Sequence, residues 1–123
     1  MHSPHDVATA YIDTWNSAAA DLDAQLRRHW TADANYADPL MRAGGSREIG
    51  QLVAAVHARF PGFRFALLGQ PDGHGEFVRL SWTLGPAGAE GDAAPIEGSD
   101  LVELRDGRIH RVVGFIDRAP AAA

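Results

Sequence analysis

The chain has no cysteine. That excludes disulfide frameworks, thiol nucleophiles, cysteine-ligated zinc and iron–sulfur clusters, and it suits a reducing compartment. Lysine is missing as well: all 11 basic residues are arginine, so no lysine Schiff base can form. With the abundance of alanine, this bias reads first as the mark of a GC-rich coding sequence. Nor is there an excess of positive charge. The formal net charge is -5 with histidine neutral, so the electrostatic footprint of a nucleic-acid binder is missing. No apolar run approaches the roughly 18 residues of a membrane span. The opening Met1-His2-Ser3-Pro4-His5-Asp6 carries neither the basic nor the apolar segment of a secretory signal. The expectation is a soluble, cytoplasmic protein whose partner is a small hydrophobic ligand, with no nucleic acid and no membrane. A chain of 123 residues buries enough surface to fold without staples, here as a single domain over residues 1–123. Chemistry is left to His, Asp, Glu, Tyr and Arg.

Val7, Tyr11 and Trp15 recur at i, i+4 and i+8, with Ala8 and Ile12 alongside, which makes one stripe of an amphipathic helix over residues 4–15 with Pro4 in its first turn. Asn16-Ser17 breaks it, and Leu22, Leu26, His29 and Trp30 mark a second helical face after Asp21. In Tyr36-Ala37-Asp38-Pro39 the proline holds Asp38 away from helix, at the end of a short extended segment. Gly44-Gly45-Ser46 supplies a turn and N-cap for a third helix, Ile49, Leu52, Val53, Val56 and Phe60 its apolar face, and Pro61-Gly62 its stop. From residue 63 the period becomes two. Phe63, Phe65 and Leu67 alternate in one strand, Val78, Leu80, Trp82 and Leu84 in the next, Ile96, Gly98, Asp100, Val102 and Leu104 in a third, and residues 108–116 form a fourth. Gln70 to Gly75 reads as a turn, Gly85 to Ala94 as a long loop, Asp106-Gly107 as a tight hairpin, and Ala119 to Ala123 as a frayed tail. The pattern predicts an α+β domain: a curved antiparallel sheet with three helices packed on one face, shaped as a cone with an apolar cavity at its open end.

Asp100 shares its strand face with Ile96, Val102 and Leu104. Burial there disfavours the charged form, so unless a cation pairs with it the carboxyl stays neutral to higher pH and can donate to a developing oxyanion. The competing reading is a bulge or a structural arginine pair. Asp38 is in the first instance an Asp-Pro turn residue. Beside the irregular stretch Leu40 to Gly45 it could also serve as a base that takes a proton alpha to a carbonyl. Tyr11 lies on the inward helical stripe, where its hydroxyl needs a partner, either Asp100 or a backbone carbonyl.

Trp15, Trp82, His110 and Val112 are candidate ligand contacts. Whether His110 belongs there depends on the hairpin. A two-residue turn at Asp106-Gly107 sets Arg105 against Arg108 and puts Arg111 on the face of Asp100. A three-residue loop with a glycine bulge slips the register and puts His110, Val112 and Gly114 there instead. The second register is favoured because it keeps Arg111 out of the cavity. His57 borders the third helix's apolar face, His74 lies in a Gly-rich turn, and His2 and His5 sit near the N-terminus. No His-x-x-x-His or His-Glu-x-x-His pair and no glycine-rich phosphate loop occurs, so no metal and no cofactor is expected.

The order of elements, with YIDTWNSAAADLDAQLRRHWTADANYADPL and IEGSDLVELRDGRIHRVVGF, resembles the nuclear transport factor two-like (cystatin-like) superfold, including SnoaL-like proteins and ketosteroid isomerase, over nearly the whole chain. The resemblance implies a Tyr on the first helix, an Asp before Pro after the second and an Asp on the third long strand, positions held here by Tyr11, Asp38 and Asp100. In the isomerase, the first Asp shuttles the proton while Tyr and a protonated Asp hold the dienolate oxygen. The implied activity is isomerase-like acid-base transfer on a hydrophobic carbonyl compound, in a homodimer formed through the outer sheet face. The alternatives are a polyketide cyclase or dehydratase and a non-catalytic ligand-binding module, because this fold hosts many functions. Arg79, His110, Arg111 and Trp82 depart from a purely apolar pocket. The epoxide hydrolase branch pairs Arg-x-Asp on a strand, and no Arg-x-Asp occurs here.

Overall fold

A computed structural model describes residues 3–120. Three α-helices, α1 (Pro4–Trp15), α2 (Ala19–His29) and α3 (Gly45–Arg59), accompany six strands: β1 (Trp30–Ala37), β2 (Arg42–Gly44), β3 (Phe63–His74), β4 (Phe77–Pro86), β5 (Ile96–Arg105) and β6 (Arg108–Arg118). The strands form one curved, open sheet in the order β2-β1-β6-β5-β4-β3. The helices cover its concave side, α1 against β3 and β4 and α2 and α3 against β1. The core lies between them, built on Trp15, Trp30, Tyr11, Ile49, Val53 and Val102, all buried.

Helix α1 starts where its cap allows. The Ser3 hydroxyl accepts the Asp6 N–H at 3.1 Å and the Asp6 carboxylate accepts the Ser3 N–H at 3.4 Å, a reciprocal pair that satisfies two otherwise orphaned donors. The i, i+4, i+8 stripe of Val7, Tyr11 and Trp15 then faces inward, and Asn16 closes the helix. The cap of α3 comes from the expected Gly44-Gly45-Ser46 stretch: Gly44 is the N-cap, and Glu48 reaches back to accept the Gly44 N–H at 2.8 Å.

The sheet is mixed and wider than the expected four-strand meander. Strand β1 pairs parallel with β6, and β2 adds an edge beside it. The sequence 30–37 hides a strand because its alternation is broken: Trp30 and Thr31 are both buried, and the register shifts between Trp30 and Asn35. Trp30, read as the end of a helical face, is the first residue of β1, where its indole N–H donates to Thr14 Oγ1 at 3.1 Å. The expected turn at Gln70 to Gly75 is also corrected, since β3 runs through it to His74 with a bulge between Leu68 and Asp72. Pro71 is tolerated there because β3 is an edge strand, where a missing N–H costs no ladder bond. His74 is exposed and His57 Nε2 lies 2.7 Å from the Trp15 carbonyl oxygen.

The β5–β6 hairpin combines both registers considered from sequence. Arg105 faces Arg108 across a two-residue turn, and Asp106 (φ 53°) and Gly107 (φ 79°) both take the positive φ that such a turn requires. The bulge comes one pair later: Leu104 faces Ile109 while Glu103 faces Arg111, so His110 is the extra residue. Beyond it Val112 faces Val102 and Gly114 faces Asp100, so the expected three-residue loop is wrong although its consequence for Val112 and Gly114 holds. Ala119 and Pro120, expected to start a frayed tail, border a cavity instead. The rest of that tail and His2 lie outside the described residues. Among those residues no helix is long and apolar enough to cross a membrane.

Candidate active site

A cavity of about 660 Å³ opens between the helices and the concave sheet, a volume that suits a drug-sized ligand. Its aromatic wall is continuous. Trp15 packs on Tyr36 at 5.3 Å and on Phe65 at 5.6 Å between ring centres, and Phe65 meets Trp82 edge-on at 5.3 Å.

Helix α1 delivers Tyr11 and β5 delivers Asp100 to the same inner wall, where the Tyr11 hydroxyl donates to Asp100 Oδ2. Both are almost fully buried, at 1% and 4% exposure. Burial pushes the Asp100 carboxyl up to about 6; donors on Tyr11 and Trp82 oppose the rise, and the charges of Asp38 and Asp117 add to it. Burial and the Asp100 charge likewise lift the Tyr11 hydroxyl well above the ordinary phenol range, so it stays a donor. Asp100 Oδ1 is buried with no hydrogen-bond partner. It rests against the backbone of Gly114, where a Cβ would stand 2.7 Å away. An ionised oxygen so placed gets no solvation, which is the structural side of the raised pKa.

Asp38 lies in the opposite setting. Its Oδ1 accepts the N–H groups of Leu40 and Met41, each at 2.8 Å, and its Oδ2 accepts the Tyr36 hydroxyl at 2.6 Å. Three donors on an acceptor-only group suit a carboxylate. The two acids approach one another over Gly114, where an added Cβ would come within 3.3 Å of Asp38 Cβ. Tyr36 is a site residue that sequence reasoning missed. It sits two positions before Asp38, on the same face of an extended chain, and that spacing was the available signal. Burial, followed by the bond to Asp38, raises its hydroxyl above the phenol range.

Trp15 and Trp82 line the cavity with Tyr11, Asp38 and Asp100, whereas His110 and Val112 do not. His110 Nδ1 lies 2.9 Å from Thr31 Oγ1 and 3.8 Å from the Asp33 carboxylate. Val112 is core, 1% exposed. The bulge at His110 and the β1–β6 pairing explain both placements. Arg79 pairs with Asp72 at 3.2 Å on the solvent side, and Arg111 is exposed, so neither enters the cavity.

Trp82 has a requirement of its own. Opposite it on β5 stands Gly98, and a Cβ there would fall 2.1 Å from the indole Cζ2. Only glycine lets the ring lie flat on the strand. Gly98→Ala is expected to displace the indole and cost about 1–3 kcal/mol, read as a lowered urea midpoint; an unchanged midpoint would show the ring free to move.

A family model describing a SnoaL-like domain matches residues 8–112. Among solved structures, a provisionally named isomerase of the SnoaL-like family from Agrobacterium tumefaciens is 38% identical, with a TM-score of 0.86 over 94% of this chain and 99% of that one. A provisionally named ketosteroid isomerase from Kribbella flavida is 19% identical, with a TM-score of 0.69 over 98% of this chain and 82% of that one. A protein of ketosteroid isomerase-like fold from Catenulispora acidiphila, in complex with trimethylamine, is 18% identical, with a TM-score of 0.70 over 89% and 83% of the two chains. The last two speak to the fold alone. No curated protein matches the chain.

Proposed function

This chain belongs to the SnoaL-like domain family, and from that premise we propose an enzyme of ketosteroid isomerase type, moving a proton on a hydrophobic carbonyl compound without a cofactor. One observation carries the reading: two carboxyls meet over Gly114 on the wall of one apolar cavity in opposite settings, Asp38 with three donors and Asp100 buried with an unpartnered oxygen. Environments that split two acids in this way assign one as base and the other as donor.

The chemistry follows from charge. Asp38 takes the proton alpha to the carbonyl, and negative charge moves to the carbonyl oxygen. Protonated Asp100 donates to that oxygen, and so does Tyr11 once its one hydroxyl proton turns from Asp100 Oδ2 to the substrate, in a site where desolvation strengthens each bond. Asp38 then returns the proton to another carbon. Tyr36 and the Leu40 and Met41 amides hold the base in place throughout, while Trp15 and Trp82 flank the substrate. The same reading takes the outer sheet face, where Leu101 and Phe115 are exposed, as the contact of a cytoplasmic homodimer.

The test is isotope uptake from heavy water into a panel of enones and polyketide-like ketones, followed by mass spectrometry. Protein-dependent deuteration at the alpha carbon of at least one member is expected. If panel members bind in the cavity and none exchanges, the domain is a ligand-binding module instead.

A further inference from the structure

We propose that the ligand of this cavity is amphipathic, a hydrophobic carbonyl compound bearing a carboxylate at its far end, and that Arg59 receives this group at the mouth. The inference rests on the pocket reading above and adds a substrate class to it.

Besides Tyr11, Tyr36, Asp38 and Asp100, Arg59 is the one ionisable side chain on the cavity wall among the described residues, and it is the one cation. Asp100 and Arg59 are separated by depth. Asp100 is 4% exposed, whereas Arg59, the last residue of α3, is exposed at the rim. Its guanidinium carbon sits 5.8 Å from the centre of the Phe60 ring, and Phe60 stacks on Phe63 at 5.3 Å. Both rings line the cavity, so this stack holds the cation at the opening. Among the described residues no carboxylate lies within ion-pair distance of Arg59.

The field then orients a ligand. Asp38 and any ionised Asp100 repel an anion from the inner wall, and the chain's net charge of -5 disfavours anions in general. Within the cavity an anionic group is therefore favoured beside Arg59, and a ligand carrying one enters with its carbonyl end leading toward Tyr11 and Asp100.

The test uses two probes of equal shape, an acetylnaphthoic acid and the acetylnaphthamide of the same substitution, titrated calorimetrically at low salt into the wild-type chain, Arg59→Ala and Arg59→Lys. The acid-to-amide affinity ratio is expected to fall about fivefold in Arg59→Ala, the upper range for an exposed ion pair. It should be largely kept in Arg59→Lys and shrink with added salt. An Arg59→Ala ratio equal to the wild-type ratio overturns the proposal. Deuterium uptake into the acetyl methyl group, followed in parallel, separates the two readings. Exchange without an Arg59-dependent ratio removes only the role of Arg59, and an Arg59-dependent ratio without exchange removes only the enzyme. Failure of both probes to bind any of the chains removes the pocket reading and this inference with it.

Discussion

Asp38→Asn is expected to lower solvent-proton exchange by about 10²–10⁴-fold, the usual contribution of a positioned general base. The substitution is nearly isosteric. The Leu40 and Met41 N–H groups keep an acceptor in the amide oxygen, and the Tyr36 hydroxyl can accept from the amide nitrogen in place of donating to Oδ2. The loop that follows Asp38 therefore keeps its shape, and ligand affinity should stay within a few fold. Isotope uptake by mass spectrometry and calorimetric affinity on the same ketone separate the two effects. Undiminished exchange in this variant would show that Asp38 is not the base.

The second large effect is on stability and depends on pH. In the folded chain Asp100 releases its proton near pH 6, and in the unfolded chain near the ordinary aspartate value of about 3.9. Between those values the folded state binds the extra proton, so this group's contribution to stability falls as pH rises through the window and is flat above it. Asp100→Asn removes the titration. Its stability relative to wild type should rise by about 2 kcal/mol between pH 4 and pH 8, measured by chemical denaturation at the two ends. Any constant cost of the amide cancels in that difference. Parallel stability curves would mean that Asp100 is solvated, and the oxyanion-donor role would go with the raised pKa.

Much of the site was legible residue by residue. Tyr11 fell on the inward face because 3.6-residue periodicity ties it to Val7 and Trp15, and Asp100 because two-residue alternation ties it to Ile96 and Val102. Asp38 stood out because Pro39 denies it a helix. These are local rules, and each acts within a few residues. Tyr36 escaped because an aromatic residue in a weakly patterned strand looks like ordinary core, and only its bond to Asp38 marks it. His110 was misplaced for another reason: the bulge in β6 decides which way a strand residue points, and a hairpin can hold that bulge at the turn or one pair beyond it. Val112 keeps the expected face but is packed into the core beside Val102, away from the cavity.

From the sequence alone came the helices, the long strands, the α+β class and the facing of the acidic residues, because periodicity and turn chemistry are short-range properties of the chain. The tertiary structure alone decided that β1 runs parallel beside β6, that Asp38 and Asp100 meet over Gly114, and that Arg59 stands at the mouth. Those outcomes depend on pairing between segments some 60 to 80 residues apart, on a bulge at one position and on the space left where a side chain is absent, none of which a local pattern encodes.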